Sequence, residues 1–135
     1  MNISTRQVEG RIPIMVVTIQ GDLDGSNYMD LIAKGKELYQ AGARRLILDM
    51  SQVSFMSSAG IMALHSLALL MRGDQIPDPE QGWAALHAAT EKSNNLQTNV
   101  KLLNLQPKVD RTVQLAGMKA FFEIHTDLAA AVASF

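Results

Sequence analysis

Apolar and polar positions along the chain change their period several times, and each change marks an element. Ile12 to Ile19, "IPIMVVTI", is a short β-branched apolar run and predicts a strand, with Pro13 at its start where a missing ladder donor costs little. "QGDLDGSN" follows with Gly, Asp and Asn at close spacing and predicts a turn. In "YMDLIAKGKELYQ" Leu31, Leu38 and Tyr39 recur near the helical period, Ser26 or Asn27 can cap the start, and Gly42 closes the end. "RRLILDM", Arg44 to Met50, is a compact strand, apolar on both faces at Leu46, Ile47 and Leu48, as expected of a central strand covered by helices. A helix is expected from Ser58 to Arg72, ended by Gly73. After a long polar stretch, "VKLLNL" predicts a strand, and "QPKVDRTVQLAG" a short helix with Val109, Val113 and Leu115-Ala116 on its apolar side. "KAFFEIH" predicts the last strand, and "TDLAAAVASF" a last helix capped by Thr126. Asn2 to Val8 reads as an extra edge strand.

Strands that alternate with helices argue for an α/β fold with a mixed, largely parallel sheet of four to five strands and about four to five helices. No internal repeat appears, and residues 1–135 read as one domain. Residues 73–98 form a longer helix-to-strand insertion than the usual link of about 4–6 residues. It carries Pro77, Pro79, Trp83 and a candidate short helix, "WAALHAATEK". We expect a packed extension anchored by Trp83, with a homodimer contact as the open alternative.

The stretch "FMSSAGIMAL" sets two hydroxyls at the mouth of the second helix. On a helical wheel Ile61, Leu64, Ala68 and Met71 form the core stripe, flanked by Ala63, Leu67 and Leu70. The opposite face carries Met62, His65, Ser66, Leu69 and Arg72. Ser58 projects toward that outer face and Ser57 toward the core side. One serine suffices as a cap that satisfies an orphan N–H. The second is then a candidate accessible hydroxyl beside an apolar contact patch. A phosphate there is tolerated by the helix N-terminus. It would still add about 1.5–2 negative charges to any surface that a partner must cover.

Composition narrows the chemistry. The hydrophobic fraction of 47% supports a real core, built from aliphatics and eight methionines because aromatics make up only 5%. The absence of cysteine removes disulfides, thiolate metal sites and cysteine nucleophiles. Net charge is −1 and the only tight basic group is Arg44-Arg45, which argues against direct nucleic-acid binding. No apolar segment reaches the roughly 18 residues of a membrane span, and "MNISTRQVEG" lacks the apolar core of a signal peptide, so a cytoplasmic protein without membrane insertion is expected. No histidine–carboxylate spacing suggests a metal site, and neither G-x-x-x-x-G-K nor G-x-G-x-x-G is present, so no cofactor is expected. A serine hydrolase is disfavoured. Met56 stands where a nucleophile elbow needs glycine, and His65 lies about 10 Å along the helix from Ser58.

Four stretches together resemble the STAS family, the sulphate-transporter and anti-sigma-factor-antagonist domain: "IQGDLDGSN", "LILDMSQVSFMSSAGIMAL", "VKLLNLQPKVDRTVQLAGM" and "FFEIHTDLAAAV". The middle one is the most specific, with an apolar strand, a polar link, an aromatic, then a hydroxyl residue before a small residue and Gly. The resemblance implies a non-enzymatic anti-sigma factor antagonist, which binds an anti-sigma factor that is also a serine kinase of the histidine-kinase-like ATPase fold. It thereby frees a sigma factor until the kinase phosphorylates it. The matching acceptor is Ser58, with Ser57 as the alternative. The best-known antagonists carry Asp before the acceptor and often Ser or Thr after it, where this chain has Ser57 and Ala59. The implied docking surface comprises Asp22, Asp24, Ser57, Ser58, Ala59, Gly60, Met62, His65, Ser66 and Leu69. Turn chemistry alone also accounts for Asp22 and Asp24. The competing expectation is a constitutive STAS scaffold subunit of a transport or signalling complex, in which Ser58 is only part of a helix start.

Overall fold

The computed structural model describes residues 1–74 and 97–135. Among these, five strands form one sheet in the order β1-β2-β3-β4-β5. They are β1 (Asn2–Glu9), β2 (Pro13–Gln20), β3 (Leu46–Gln52), β4 (Gln97–Leu103) and β5 (Phe122–His125). The β1–β2 hairpin is antiparallel, pairing Ile3 with Ile19 and Val8 with Ile14, and every other neighbouring pair is parallel. The helices are α1 (Tyr28–Gln40), α2 (Ser58–Met71), α3 (Pro107–Leu115) and α4 (Leu128–Ala133). The mixed, largely parallel α/β sheet is the expected architecture, including the edge strand at the amino terminus. The insertion, its "WAALHAATEK" helix and Trp83 lie almost wholly outside the described residues.

Alternation along the strands splits the core in two. Val17 and Ile19 of β2, Leu46, Leu48 and Met50 of β3, and Val100 and Leu102 of β4 point to the face covered by α1, α2 and α3. Ile14, Val16, Ile47 and Leu103 point the other way, where Ala131 of α4 packs on them. The helices are placed by their apolar residues: Leu31, Ile32 and Leu38 of α1, Val109 and Val113 of α3, and almost the whole of α2.

Boundaries differ from expectation where side chains find local backbone partners. β3 begins at Leu46 and not Arg44; the Arg44 side chain turns back, its Nη1 donating to the carbonyls of Tyr39 and Ala43 (2.9 and 2.8 Å). β4 ends at Leu103, because Asn104 takes φ 56° and turns the chain; Asn is one of the few residues that tolerate this region. Met118–Ala120 forms a 3₁₀ turn after Gly117 (φ 73°), so the last strand starts only at Phe122. The cap of α4 is Asp127, not Thr126: its carboxylate accepts from the Ala130 N–H at 3.0 Å, a stronger charge-assisted cap than a hydroxyl. Leu115, expected on the apolar side of α3, is 77% exposed, because the buried stripe of this short helix is completed by Val109 and Val113.

Candidate functional site

In parallel α/β sheets, the ends where strands run out into loops gather the functional residues. Here that end is built by two loops laced together. The β2–α1 turn bonds to the β3–α2 link through Gly21 N–H to Gln52 O (3.1 Å), Leu23 N–H to Phe55 O (3.0 Å) and Ser57 N–H to Leu23 O (2.9 Å). Ser54 Oγ donates to the Asp22 carboxylate at 2.8 Å, and Gln20 Nε2 to Gln52 Oε1 at 2.8 Å. The β4–α3 loop joins through Gln106 Nε2, which donates to Ser51 O at 2.7 Å. Asp22 and Asp24, remote from Ser58 in sequence, therefore sit on the same loop platform as the start of α2.

The two serines divide their work. Ser57 is the N-cap of α2, half-buried, with extended backbone (φ −87°, ψ 177°), and its Oγ accepts from the Ala59 N–H at 3.2 Å. Ser58 is the first helical residue, is exposed, and among the described residues its hydroxyl makes no hydrogen bond. Since Ser57 satisfies an orphan amide, the Ser58 hydroxyl has no capping task left.

Asp24 shows turn chemistry. Its carboxylate accepts from the Ser26 hydroxyl (2.5 Å) and the Ser26 N–H (2.9 Å), and its carbonyl from Tyr28 N–H (2.9 Å). Those bonds from Ser26 hold the Asp24 carboxyl below the usual carboxylate range. Asn27 stands at the N-cap of α1, but its side chain turns back into the loop, accepting from Asp24 N–H at 3.0 Å and donating to Asp22 O at 2.8 Å.

The expected outer face of α2 needs correction. His65, Ser66 and Leu69 are 2%, 3% and 2% exposed, so they present nothing to a partner. The wheel gives direction but not what covers it. A 14-residue helix with no charged side chain is apolar nearly all round beyond its first turn, and such a helix is buried over most of its surface. Its two buried polar residues are satisfied inside: Ser66 Oγ donates to Met62 O at 2.8 Å, and the His65 ring meets Met118 Sδ and packs on Phe121 at 5.6 Å between ring centroids. The His65 ring is thus directed into the core. Gly60 is buried as well, and its role is close approach, since a Cβ there would lie 2.3 Å from Met56 Cγ and 3.1 Å from Leu23 Cγ. Of the expected docking set, Asp22, Asp24, Ser57, Ser58, Ala59 and Met62 reach the surface at least in part. Phe55, the aromatic of the most specific stretch, is absent from the expected docking set, yet it is 48% exposed in the β3–α2 link. Its signal was present: an aromatic in a loop, outside any apolar period.

This fold and this serine-opened helix are those of a STAS domain, and the sequence matches that family over residues 4–76: the chain belongs to it. It is 22% identical over its whole length to BtrV of Bordetella bronchiseptica, provisionally named an anti-sigma factor antagonist, and covers 95% of that protein. An anti-sigma factor antagonist from Mycobacterium paratuberculosis shares the fold at a TM-score of 0.62 with 19% identity, over 98% of this chain and 93% of that one. The phosphorylated form of the Bacillus cell fate determinant SpoIIAA shares it at 0.53 with 20% identity, over 96% of both chains. No helix among the described residues is long and apolar enough to cross a membrane.

Proposed function

We propose that the chain is an anti-sigma factor antagonist, a binding module without catalysis of its own, switched by phosphorylation of Ser58. One observation carries the reading: Ser57 takes the cap, which leaves the Ser58 hydroxyl exposed and unbonded on the rim of the platform. The same laced loops and the first turns of α2 carry exposed Phe55, half-buried Met62 and the carboxylates of Asp22 and Asp24. In the unmodified form this mixed surface docks an anti-sigma factor kinase of the histidine-kinase-like ATPase fold, and a sigma factor is released. A phosphate on Ser58 places about 1.5–2 further negative charges beside two carboxylates and an apolar contact, so the docked partner loses both desolvation and charge complementarity. Ser57 is the poorer acceptor, because modifying it breaks the cap.

The test is to incubate the chain with ATP and candidate anti-sigma kinases, map the mass, and measure partner affinity. One phosphate is expected on Ser58. Ser58→Ala should bind and resist modification, and Ser58→Asp should bind about tenfold more weakly or worse, a loss of about 1.4 kcal/mol. Unchanged affinity in both variants would sink the switch and favour a constitutive scaffold.

A further inference from the structure

At the opposite end of the sheet, where β2 and β3 begin, the structure holds a cavity of about 530 Å³ between the β1–β2 hairpin and the carboxyl end of α1. That volume falls within the roughly 300–1,000 Å³ of small-molecule sites. It exists because α1 ends early. The helix stops at Gln40, and Gly42 (φ 106°) turns the chain with no side chain to fill the space. The end of β1 at Gln7 then has no cover on this face, and Gln7 stays exposed. The consequence shows on β2: of the side chains on this face, Val17 and Ile19 are buried, whereas Met15 is left half-open to the cavity. Met15, Leu38 and Ala43 line it as an apolar floor.

Its rim is cationic. Arg44 stacks on Tyr39, with its guanidinium carbon 3.7 Å from the ring centroid, and its Nη1 is tied to the Tyr39 and Ala43 carbonyls. Arg45 Nη1 donates to Arg44 O at 3.1 Å. Each guanidinium has five N–H donors, so most remain unspent. Neither pairs with a carboxylate among the described residues. Adjacent positive charges, pre-oriented by neutral carbonyls and an aromatic ring, lack a counter-charge at the mouth of an apolar hole. Capping the carboxyl end of α1 accounts for the Arg44 contacts, but it explains neither the second arginine nor the open Met15.

We propose that this cavity binds a small carboxylate with an apolar body, its head group on Arg44 and Arg45 and its chain on Met15, Leu38 and Ala43. Guanidinium and carboxylate match as a bidentate pair, and the floor rewards an aliphatic chain. The proposal is independent of Ser58. It is tested by NMR titration of the full chain with decanoate below its micelle concentration. Saturable shifts are expected at residues 12–15 and 38–45, with acetate, decanol and decyltrimethylammonium each binding about tenfold more weakly or worse. Arg45→Glu should lower decanoate affinity by about tenfold or more, Arg45→Lys, which keeps the charge and loses the fork, should fall between that variant and the unsubstituted chain, and Ser58→Asp should leave it unchanged. The proposal is overturned if no saturable shift appears at these residues, if decanol binds as tightly as decanoate, or if Arg45→Glu has no effect. Should Arg45→Glu not fold, the comparison of probes on the unsubstituted chain decides alone.

Discussion

At the scale of single residues, the division between Ser57 and Ser58 makes a stability prediction that is separate from any partner. Ser57→Ala removes the acceptor of the Ala59 N–H and should destabilise the chain by about 0.5–2 kcal/mol. Ser58→Ala removes an exposed hydroxyl with no protein partner and should stay within about 0.5 kcal/mol. Urea unfolding distinguishes them: the midpoint falls for the first variant and not for the second, with the slope unchanged in both. Equal losses would mean that Ser58 also caps the helix. This division was legible in the sequence, because the wheel already set Ser57 toward the core and Ser58 outward. The burial of His65, Ser66 and Leu69 was not. Periodicity reports which way a side chain points, and only tertiary packing decides what it meets. The missing charge on α2 was the available warning.

At the scale of elements, the contact between α1 and α2 rests on glycine. A Cβ on Gly35 would lie 2.1 Å from Leu67 Cδ2 and 3.3 Å from Leu70 Cδ2. Two effects oppose each other in Gly35→Ala. Helix propensity favours alanine by about 1 kcal/mol. Overpacking against buried Leu67 costs about 1–3 kcal/mol, since the neighbouring core leaves that side chain little room to shift. The clash should win, lowering stability by about 1 kcal/mol. Leu67→Ala in the same chain should relieve it, so a double-mutant cycle should show coupling of about 0.5 kcal/mol or more between the two positions. Additive effects would mean that the helices simply move apart. Element order, a largely parallel sheet and an edge strand at the amino terminus were readable from alternation and turn residues; which strands pair was not. What the sequence did not disclose are events at element ends. The bonds of Arg44 to the carbonyls of Tyr39 and Ala43, the left-handed Asn104, and the choice of Asp127 over Thr126 as cap each depend on geometry that forms only after the elements dock.

At the scale of the whole molecule, the sheet is guarded unequally. Among the described residues one face carries α1, α2 and α3, whereas the other carries only the six-residue α4. That helix is held by a buried cation. Lys101, whose side chain is 2% exposed, donates to Ser134 O (2.9 Å) and Ser134 Oγ (2.8 Å), lies 4.4 Å from the Phe135 ring centroid and pairs with Glu123 at 3.0 Å. A lone lysine in "VKLLNL" was the sequence trace of this clamp, unread because lysine on a strand ordinarily faces water. Burial pushes the Glu123 carboxyl up, but the hydrogen bond and charge of Lys101, helped by His125, outweigh it and leave the group below its usual value near 4.5. A carboxyl depressed by folding stabilises the native state above its unfolded value. That contribution is lost as pH falls from about 4.5 through the lower folded value, where the native carboxylate must take up a proton. The unsubstituted chain should therefore lose stability as pH falls below about 4.5. Glu123→Gln should be less stable at neutral pH, and its deficit should shrink across that window. Lys101→Met should shrink the same step, since only His125 then lowers the half-exposed carboxylate against its burial; this variant should also be less stable at neutral pH, because it removes the Glu123 partner and both bonds to Ser134. Urea midpoints measured from pH 7 to pH 3 check all three chains, and an acid step of equal size in each would place the loss in other carboxylates, not in the clamp beneath α4.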